Sequence, residues 1–494
     1  MTAPQKKYPG HVSRILAVLV MGISMIVAPV TPAPLTNKAI AAACDTACKL
    51  FTDAAGLQQQ IPKPFGWGIG AHAETSTIVW NNQYLMYYRT FISSSGSICG
   101  IPQGIALATS GDSGRTWAQY NGGKPLSMLQ SVQQNGNTCV NDNNARSTWV
   151  FAPDVIVDGN HLLMVFEQRD WVPAGNGTGR ALHSVRWVTS SDGVNWSGST
   201  RLLKEGVVGD SFDEVGTPDI EKDGVGYVMT FHYHDSTGRL PQGRATVRFS
   251  NLTQDYNGTK TKFTLTPAPS WGNYGLGMGD MTREADGYWY MIFEAFGGAN
   301  GLCGQTNSQT AVGIARSTDA VNWTVRGAPL IKGVGSSCGW DMPAWQNIGD
   351  VRSIVTPDDP PEGRELVRWN IVDKAAPAQV TSGTQLRQNQ FLQAPHCLNN
   401  GSSRLCMQDD GNLVQYRNSD NFVIWASDTL GSGAKRIYMQ YDGNLVLLRN
   451  DGSPVRATAT DGRPGSYLDV LGDRVQVNTY GNIVWQRISG QRGM

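Results

Sequence analysis

Leu162-Leu-Met-Val-Phe-Glu167 is an apolar run of strand length, and the chain writes it three more times, as Tyr84-Leu-Met-Tyr-Tyr-Arg89, Tyr227-Val-Met-Thr-Phe-His232 and Tyr288-Trp-Tyr-Met-Ile-Phe-Glu294. Each run is rich in aromatic and β-branched residues and follows a turn signal of the Asn-Asn or Asp-Gly kind, so each is expected to be a strand. A second element trails the runs. Ala108-Thr-Ser-Gly-Asp-Ser-Gly-Arg-Thr-Trp117, Val188-Thr-Ser-Ser-Asp-Gly-Val-Asn-Trp196 and Ala315-Arg-Ser-Thr-Asp-Ala-Val-Asn-Trp323 share a Ser-x-Asp turn closed by a Trp. Arg248-Phe-Ser-Asn-Leu-Thr-Gln-Asp255 stands where a worn fourth copy is due. A unit of roughly 60 to 80 residues carrying several strands predicts a blade. Residues 51–372 have room for five, so the expectation is an all-β chain that begins with a five-bladed β-propeller.

The chain has 494 residues, more than one core supports, so further domains are expected. Lys plus Arg is 40 and Asp plus Glu is 40, with no long run of one sign, which argues against nucleic acid or an anionic membrane surface as partner. Lys6, Lys7 and Arg14 precede an apolar run from Ile15 to Val30, and Ala41-Ala42-Ala43 offers a small-residue cleavage site. Residues 1–43 therefore read as a secretory signal. Pro29, Pro32 and Pro34 break the run before it could span a membrane. Export makes the eight cysteines legible as disulfides. Their grouping favours Cys44 with Cys48, Cys99 with Cys139, Cys303 with Cys338, and Cys397 with Cys406. No Cys-x-x-Cys pair or clustered His suggests a metal, and no cofactor is expected.

Polar clusters open each expected blade: His72-Ala-Glu74, Ala152-Pro-Asp154, Glu214-Val-Gly-Thr-Pro-Asp219, Gly279-Asp280 and Trp340-Asp341. Ala152-Pro-Asp154-Val155 and Thr217-Pro-Asp219-Ile220, each followed by Asp-Gly and an apolar strand, resemble the blade openings of five-bladed glycoside hydrolases, notably family 43 and its fructan-cleaving cousins. The resemblance implies cleavage of a glycosidic bond by two carboxylates facing each other across a funnel. By analogy Glu214 is the acid, Glu74 the base, and Asp154 a third carboxylate that holds the acid's pKa up. The family pattern sets the acid two residues before the blade's proline, whereas here Gly216 stands there and Glu214 lies four before Pro218. His232 and His234, flanking Tyr233, are candidate funnel residues. The Ser110-x-Asp112-x-Gly114-x-Thr116-Trp117 turn resembles the Asp box of sialidase-like propellers, which implies a structural role.

Met407-Gln-Asp-Asp-Gly-Asn-Leu-Val-Gln-Tyr416 recurs as Met439-Gln-Tyr-Asp-Gly-Asn-Leu-Val-Leu-Leu448. Gln408, Asp410, Asn412, Val414 and Tyr416 are spaced by two, so on a continuous strand they share one face, suited to a sugar's hydroxyls. The Asp-Gly pairs would ordinarily signal hairpins, but the unbroken period favours strand. Residues 383–488 resemble the bulb-type, mannose-specific lectins, β-prisms with threefold internal repeats. Gln408, Asp410, Asn412, Val414 and Tyr416 match that family's pattern completely. Gln440, Asp442, Asn444 and Val446 match it with Leu448 in place of the Tyr and Arg456 in place of a Trp. A third copy around Asp473 has Leu471, Val475 and Thr479 at the other positions and is expected to be inactive. Residues 373–382 read as a linker. The expected function is a secreted carbohydrate-active protein: a glycoside hydrolase cleaving a plant or microbial polysaccharide, with a mannose-type module for targeting. The alternative is a non-catalytic adhesin or lectin-type toxin.

Overall fold

A computed structural model of the chain describes residues 46–60, 65, 71–91, 104–133, 147–173, 179–204, 214–234, 243–272, 275–297, 309–332, 342–348, 351–357, 365–374, 376–479 and 482–494. The expected signal (1–43) and Cys44, Cys99, Cys139, Cys303, Cys338, Trp340 and Asp341 lie outside the described residues. Among the described residues, Cys397 and Cys406 form the expected disulfide, and Cys48 is also disulfide-bonded. No described helix is long and apolar enough to cross a membrane.

The four apolar runs are all strands, each in its own sheet and each paired antiparallel with the long strand before it. Those preceding strands, called first strands below, are Ala71–Trp80, Ser147–Asp158, Glu214–Asp223 and Gly275–Arg283. A fifth sheet opens with Ala344–Ile348, continues through Val351–Pro357 and Leu366–Asp373, and takes as its outer member Ala55–Gln59, from the other end of the region. Five apolar clusters fill the gaps between successive sheets. One joins Leu85 and Leu107 to Met164 and Phe166, the next Val165 and Leu163 to Met229 and Phe231, and so on to Met86 and Tyr88 against Val355 and Leu366, which links the fifth sheet to the first.

Hydrogen bonds between the sheets run in the same cyclic order. Ser76 Oγ donates to Asp154 (2.9 Å), the Ile220 N–H to Asp154 (2.6 Å), Arg244 to the Gly277 carbonyl (2.8 Å), the Trp345 N–H to Asp280 (2.8 Å), and Gln346 Nε2 to Thr77 Oγ1 (3.3 Å). The Ser-x-Asp turns follow the strands Gly104–Ser110, Gly179–Ser190 and Gln309–Ser317. In each, the Asp carboxylate accepts backbone N–H groups two to four residues on: Asp112 from Thr116 (2.8 Å), Asp192 from Val194 and Asn195 (2.8 and 2.7 Å), and Asp319 from Val321 and Asn322 (2.9 and 2.8 Å). Trp117, Trp196 and Trp323 are buried behind them. These Asp residues are engaged in holding turns.

Two stretches within the expected linker, residues 373–382, are paired. Asp373 pairs with Ala55, and Ala378–Val380 forms a parallel strand beside Gln390–Leu392. Main-chain pairing needs no side-chain period, which is why the sequence pattern missed it. Beyond it, three sheets surround one core containing Leu392, Met407, Trp425, Ile437, Leu447 and Val477. Trp425 is buried at its centre with the Trp485 ring edge-on 6.1 Å away, whereas Arg456 is exposed and fills no such place.

The decamers are not continuous strands. Ser403–Met407 and Leu413–Arg417 form a hairpin, and Asp409, Asp410 and Gly411 make its turn, with Gly411 at φ +90°. The second decamer bends the same way at Gly443, φ +87°. A left-handed backbone costs glycine little. The Asp410 and Asp442 carboxylates accept the Asn412 and Asn444 N–H groups at 2.8 and 2.9 Å. Local Asp-Gly turn chemistry outweighs the two-residue period.

Candidate functional site

Each of the first four sheets is distorted at the same point. The register between first and second strands slips at Ala73/Thr75, Phe151/Asp154, Gly216/Asp219 and Leu276/Gly279. Glu74, Ala152 and Thr217 sit in these bulges at positive φ, 50°, 50° and 35°. Bulges of this kind re-aim side chains and free backbone N–H groups. Opposite the four bulges stand Arg89, Glu167, His232 and Glu294, the last residue of each apolar run. Every run ends on a polar group, and that was the sequence signal for these positions.

Buried Glu167 accepts the Thr217 N–H at 2.9 Å through Oε2 and faces His183 Nδ1 at 3.0 Å through Oε1. Glu214 Oε1 lies 3.4 Å from His183 Nδ1 and 3.3 Å from His232 Nε2, and Arg169 approaches Glu167 to 3.5 Å and Glu214 to 4.0 Å. His232 Nδ1 is 2.8 Å from the Thr217 hydroxyl. Burial would raise the Glu167 carboxyl, but the His183 hydrogen bond and the neighbouring His232, Arg169 and His183 charges hold it down at about 2. Gly216 makes the crowding possible: a Cβ there would lie 2.0 Å from Glu167 Oε2 and 2.6 Å from the His232 ring. The sequence singled out Glu214 and His232. It missed His183, which sits on a third strand with no local mark.

The other two nominated carboxylates are placed differently. Glu74 is buried, with Oε1 on Arg89 (2.9 Å) and Oε2 on the Ala152 N–H (2.7 Å). It is separated from the Glu214 cluster by Phe151, whose ring has Arg89 4.4 Å and Arg169 5.1 Å from its centre. Asp154 points into a central cavity of about 260 Å³ shared with Asp219, Glu221, Asp280 and Arg352. Its oxygens accept from Ser76, Val155 and Ile220. Burial raises the Asp154, Asp219 and Asp280 carboxyls, and for the last two the Asp154 charge adds to it. Buried Arg244, facing Asp219, Asp280 and Glu294, is lowered to about 10 by burial. Glu74, Asp154 and Glu214 thus sit in three settings: Glu74 is buried, Asp154 opens on the central cavity, and Glu214 is partly open beside two imidazoles.

In the second region the hairpin brings Gln408 and Tyr416 together, Nε2 donating to the phenol oxygen at 2.8 Å. Asn412 Oδ1 accepts from Ser427 Oγ (3.0 Å) and the Thr429 N–H (3.1 Å), which leaves its amide NH₂ facing outward. Asp410 is exposed, and Val414 is buried beneath. The turn gathers the five residues rather than scattering them.

Repeat two keeps the frame: Asn444 Oδ1 accepts from Thr458 Oγ1 (3.4 Å) and the Thr460 N–H (3.2 Å), and Val446 is buried. Its surroundings differ. Gln440 has no phenol opposite it, since Leu448 is buried there. Asp442 and Tyr441 line a small recess together with Asp53, Gly56, Leu57 and Lys374 of the first region. Gln388 Nε2 donates to both the Leu57 and Tyr441 carbonyls (3.2 and 2.6 Å), and Lys332 pairs with Asp461 at 2.7 Å. Burial raises the Asp442 carboxyl. In repeat three the turn Leu471–Arg474 is one residue shorter, and Asp473 pairs with its neighbour Arg474 at 3.0 Å.

No protein-family model matches the chain, and no curated protein matches it. Among solved structures it is similar over 64% of its length to a thermostable family-43 glycoside hydrolase, covering 92% of that chain at 13% identity with a TM-score of 0.41. It is similar over 65% of its length to a family 117 glycoside hydrolase from the marine bacterium Zobellia galactanivorans, covering 93% of that chain at 13% identity with a TM-score of 0.43. Over 22% of its length it is similar to monomeric monocot mannose-binding lectins from Gastrodia elata, covering 96% of that chain at 33% identity with a TM-score of 0.19.

Proposed function

We propose that this chain is a secreted carbohydrate-active protein, a five-bladed β-propeller glycoside hydrolase acting on a plant or microbial polysaccharide and carrying a β-prism module for mannose-type glycans. The observation that carries the carbohydrate reading is the first-repeat turn. Exposed Asp410, an Asn412 amide fixed by Ser427 and Thr429, and the Gln408–Tyr416 pair form a preset row of donors and acceptors of the kind that vicinal hydroxyls match. The five sheets, with their inner strands hydrogen-bonded in cyclic order, support the propeller, and the disulfides support export.

Cleavage of a glycosidic bond needs a group that moves a proton at the leaving oxygen and an activated water or nucleophile opposite. We place the reaction at Glu214, the carboxylate that reaches solvent beside two imidazoles. Glu74 and Asp154 hold the Ala152–Asp154 bulge and the central cavity in shape, since each has both oxygens engaged. That engagement is also the observation favouring a non-catalytic adhesin or lectin-type toxin, because it removes the facing partner a hydrolase carboxylate ordinarily has.

Reducing-sugar release from arabinan, arabinoxylan, fructan and mannan tests the enzyme. The expected result is turnover of at least one by the full chain, lost in Glu214→Gln and retained on soluble oligosaccharide by Asp410→Ala. Absence of turnover on all four, with the chain still retained on immobilised mannan, selects the non-catalytic reading.

A further inference from the structure

We infer that Glu167, His183, Glu214 and His232 bind one divalent cation of the zinc class. No motif pointed to these ligands, because the four residues come from four strands in two sheets and no two share a ligand spacing. Folding brings them together. Ligand atoms of Glu167, Glu214 and His232 all lie within 4.8 Å of one another. His183 Nδ1 adds a fourth, 3.0 Å from Glu167 Oε1 and 3.4 Å from Glu214 Oε1. Donors about 2.0–2.2 Å from a tetrahedral ion are separated by about 3.3–3.6 Å, the spacing of Glu214 Oε1 from His232 Nε2 (3.3 Å) and from His183 Nδ1 (3.4 Å).

The surrounding hydrogen bonds point the same way. His232 offers Nε2 to the cluster while Nδ1 meets the Thr217 hydroxyl at 2.8 Å, and Arg244 donates to that same hydroxyl oxygen at 3.3 Å. The Thr217 hydroxyl thus fixes the His232 ring with Nε2 3.3 Å from the Glu214 carboxylate. The non-ligating oxygen of Glu167 is likewise fixed, by the Thr217 N–H at 2.9 Å. Outer partners that orient an imidazole and a carboxylate are the usual support of a metal site. Glycine at 216 keeps the space open: its φ is not in the left-handed region, and its lack of a side chain is what lets Glu167 and His232 approach.

Two imidazoles with two carboxylates suit zinc and its first-row neighbours better than calcium or magnesium, which favour all-oxygen shells. Arg169 at the rim compensates one of the two carboxylate charges. Four protein donors close a tetrahedral shell; Glu167, His183 and His232 are buried and Glu214 is partly open, so the ion enters from the Glu214 side.

The inference concerns the same centre as the proposed reaction, but its test involves no glycan, so the two can fail separately. The full chain is stripped with chelator, reloaded with zinc or cobalt(II), desalted and assayed by elemental analysis and by the visible spectrum of bound cobalt. We expect one ion per chain, a cobalt spectrum of tetrahedral intensity, and a thermal midpoint raised on reloading. Glu214→Gln and His232→Asn should each weaken retention at least tenfold. Should buried Glu167→Gln fail to fold, the partly exposed Glu214→Gln still decides the matter. No retained ion and no cobalt spectrum in the wild-type chain, or variants that hold the metal as well as wild type, overturns the inference and leaves the cluster as a hydrogen-bonded acid–base group.

Discussion

Asp410 and Asp442 occupy the same place in two copies of one turn, and their substitutions by alanine should have opposite consequences. Asp410 is exposed, and Asp442 faces Asp53, Gly56 and Lys374 across the recess between the two regions. A hydrogen bond to a charged group contributes about 1.5–3 kcal/mol. Asp410→Ala should therefore weaken binding of methyl α-mannoside by about 10- to 150-fold at 1.4 kcal/mol per decade. Asp442→Ala should leave both affinity and stoichiometry where they were, because its turn is covered by Tyr441 packed on Gly56, where even a Cβ would come within 2.8 Å of the ring. Its effect should appear instead as faster proteolysis between the two regions. Calorimetric titration of the full chain reads both. A wild-type stoichiometry of two, or equal loss of affinity in the two variants, would refute the reasoning.

Three further outcomes follow from packing and charge. Gly216→Ala forces a Cβ to within 2.0 Å of Glu167 Oε2, and overpacking of about 1–3 kcal/mol should lower the thermal midpoint by several degrees; an unchanged midpoint contradicts the crowding. Burial, then the Asp154 charge, push the Glu221 carboxyl from 4.5 up to about 8 against the pull of Arg352. The folded chain thus holds a proton that the unfolded chain gives up, a contribution fully present below the unfolded value and lost as pH rises through the folded one. Glu221→Gln should flatten the fall of the thermal midpoint across that window, and an unaltered slope counts against it. Replacing Cys397 and Cys406 together by Ser removes a cross-link between residues nine apart, which should cost the second region about 2–3 kcal/mol in denaturant titration; no loss would show that the short loop is preordered.

The strands were legible because their signals are local: the four apolar runs and the Ser-x-Asp turns each specify their own conformation. The same locality explains the misreading of Gln408 to Tyr416, where a two-residue period and an Asp-Gly pair gave conflicting instructions and the left-handed glycine prevailed. Glu214 and His232 could be named because they stand in recurring positions. His183 could not, since its role comes from strand pairing that sets it opposite Arg169 and beside Glu167. Glu74 and Asp154 were visible as carboxylates, but whether an oxygen is open or already bonded depends on the backbone of the neighbouring sheet. The covering of Asp442 depends on Gly56, far away in the chain, and no motif within repeat two reports it.

The pairing of Ala55 with Asp373 sets an order on how this molecule can be made. Ala55–Gln59 leaves the ribosome early, yet its one sheet partner among the described residues, Leu366–Asp373, is among the last segments of the first region to be synthesised. Until then Ala55–Gln59 has no strand to pair with, and about three hundred residues of chain must be made before this one short strand can be added. The same strand supplies Gly56 and the Leu57 carbonyl to Tyr441 and Gln388. The second region therefore seats on a surface that exists only once the chain's beginning has met the end of the first region, and docking becomes a checkpoint that reports completed folding.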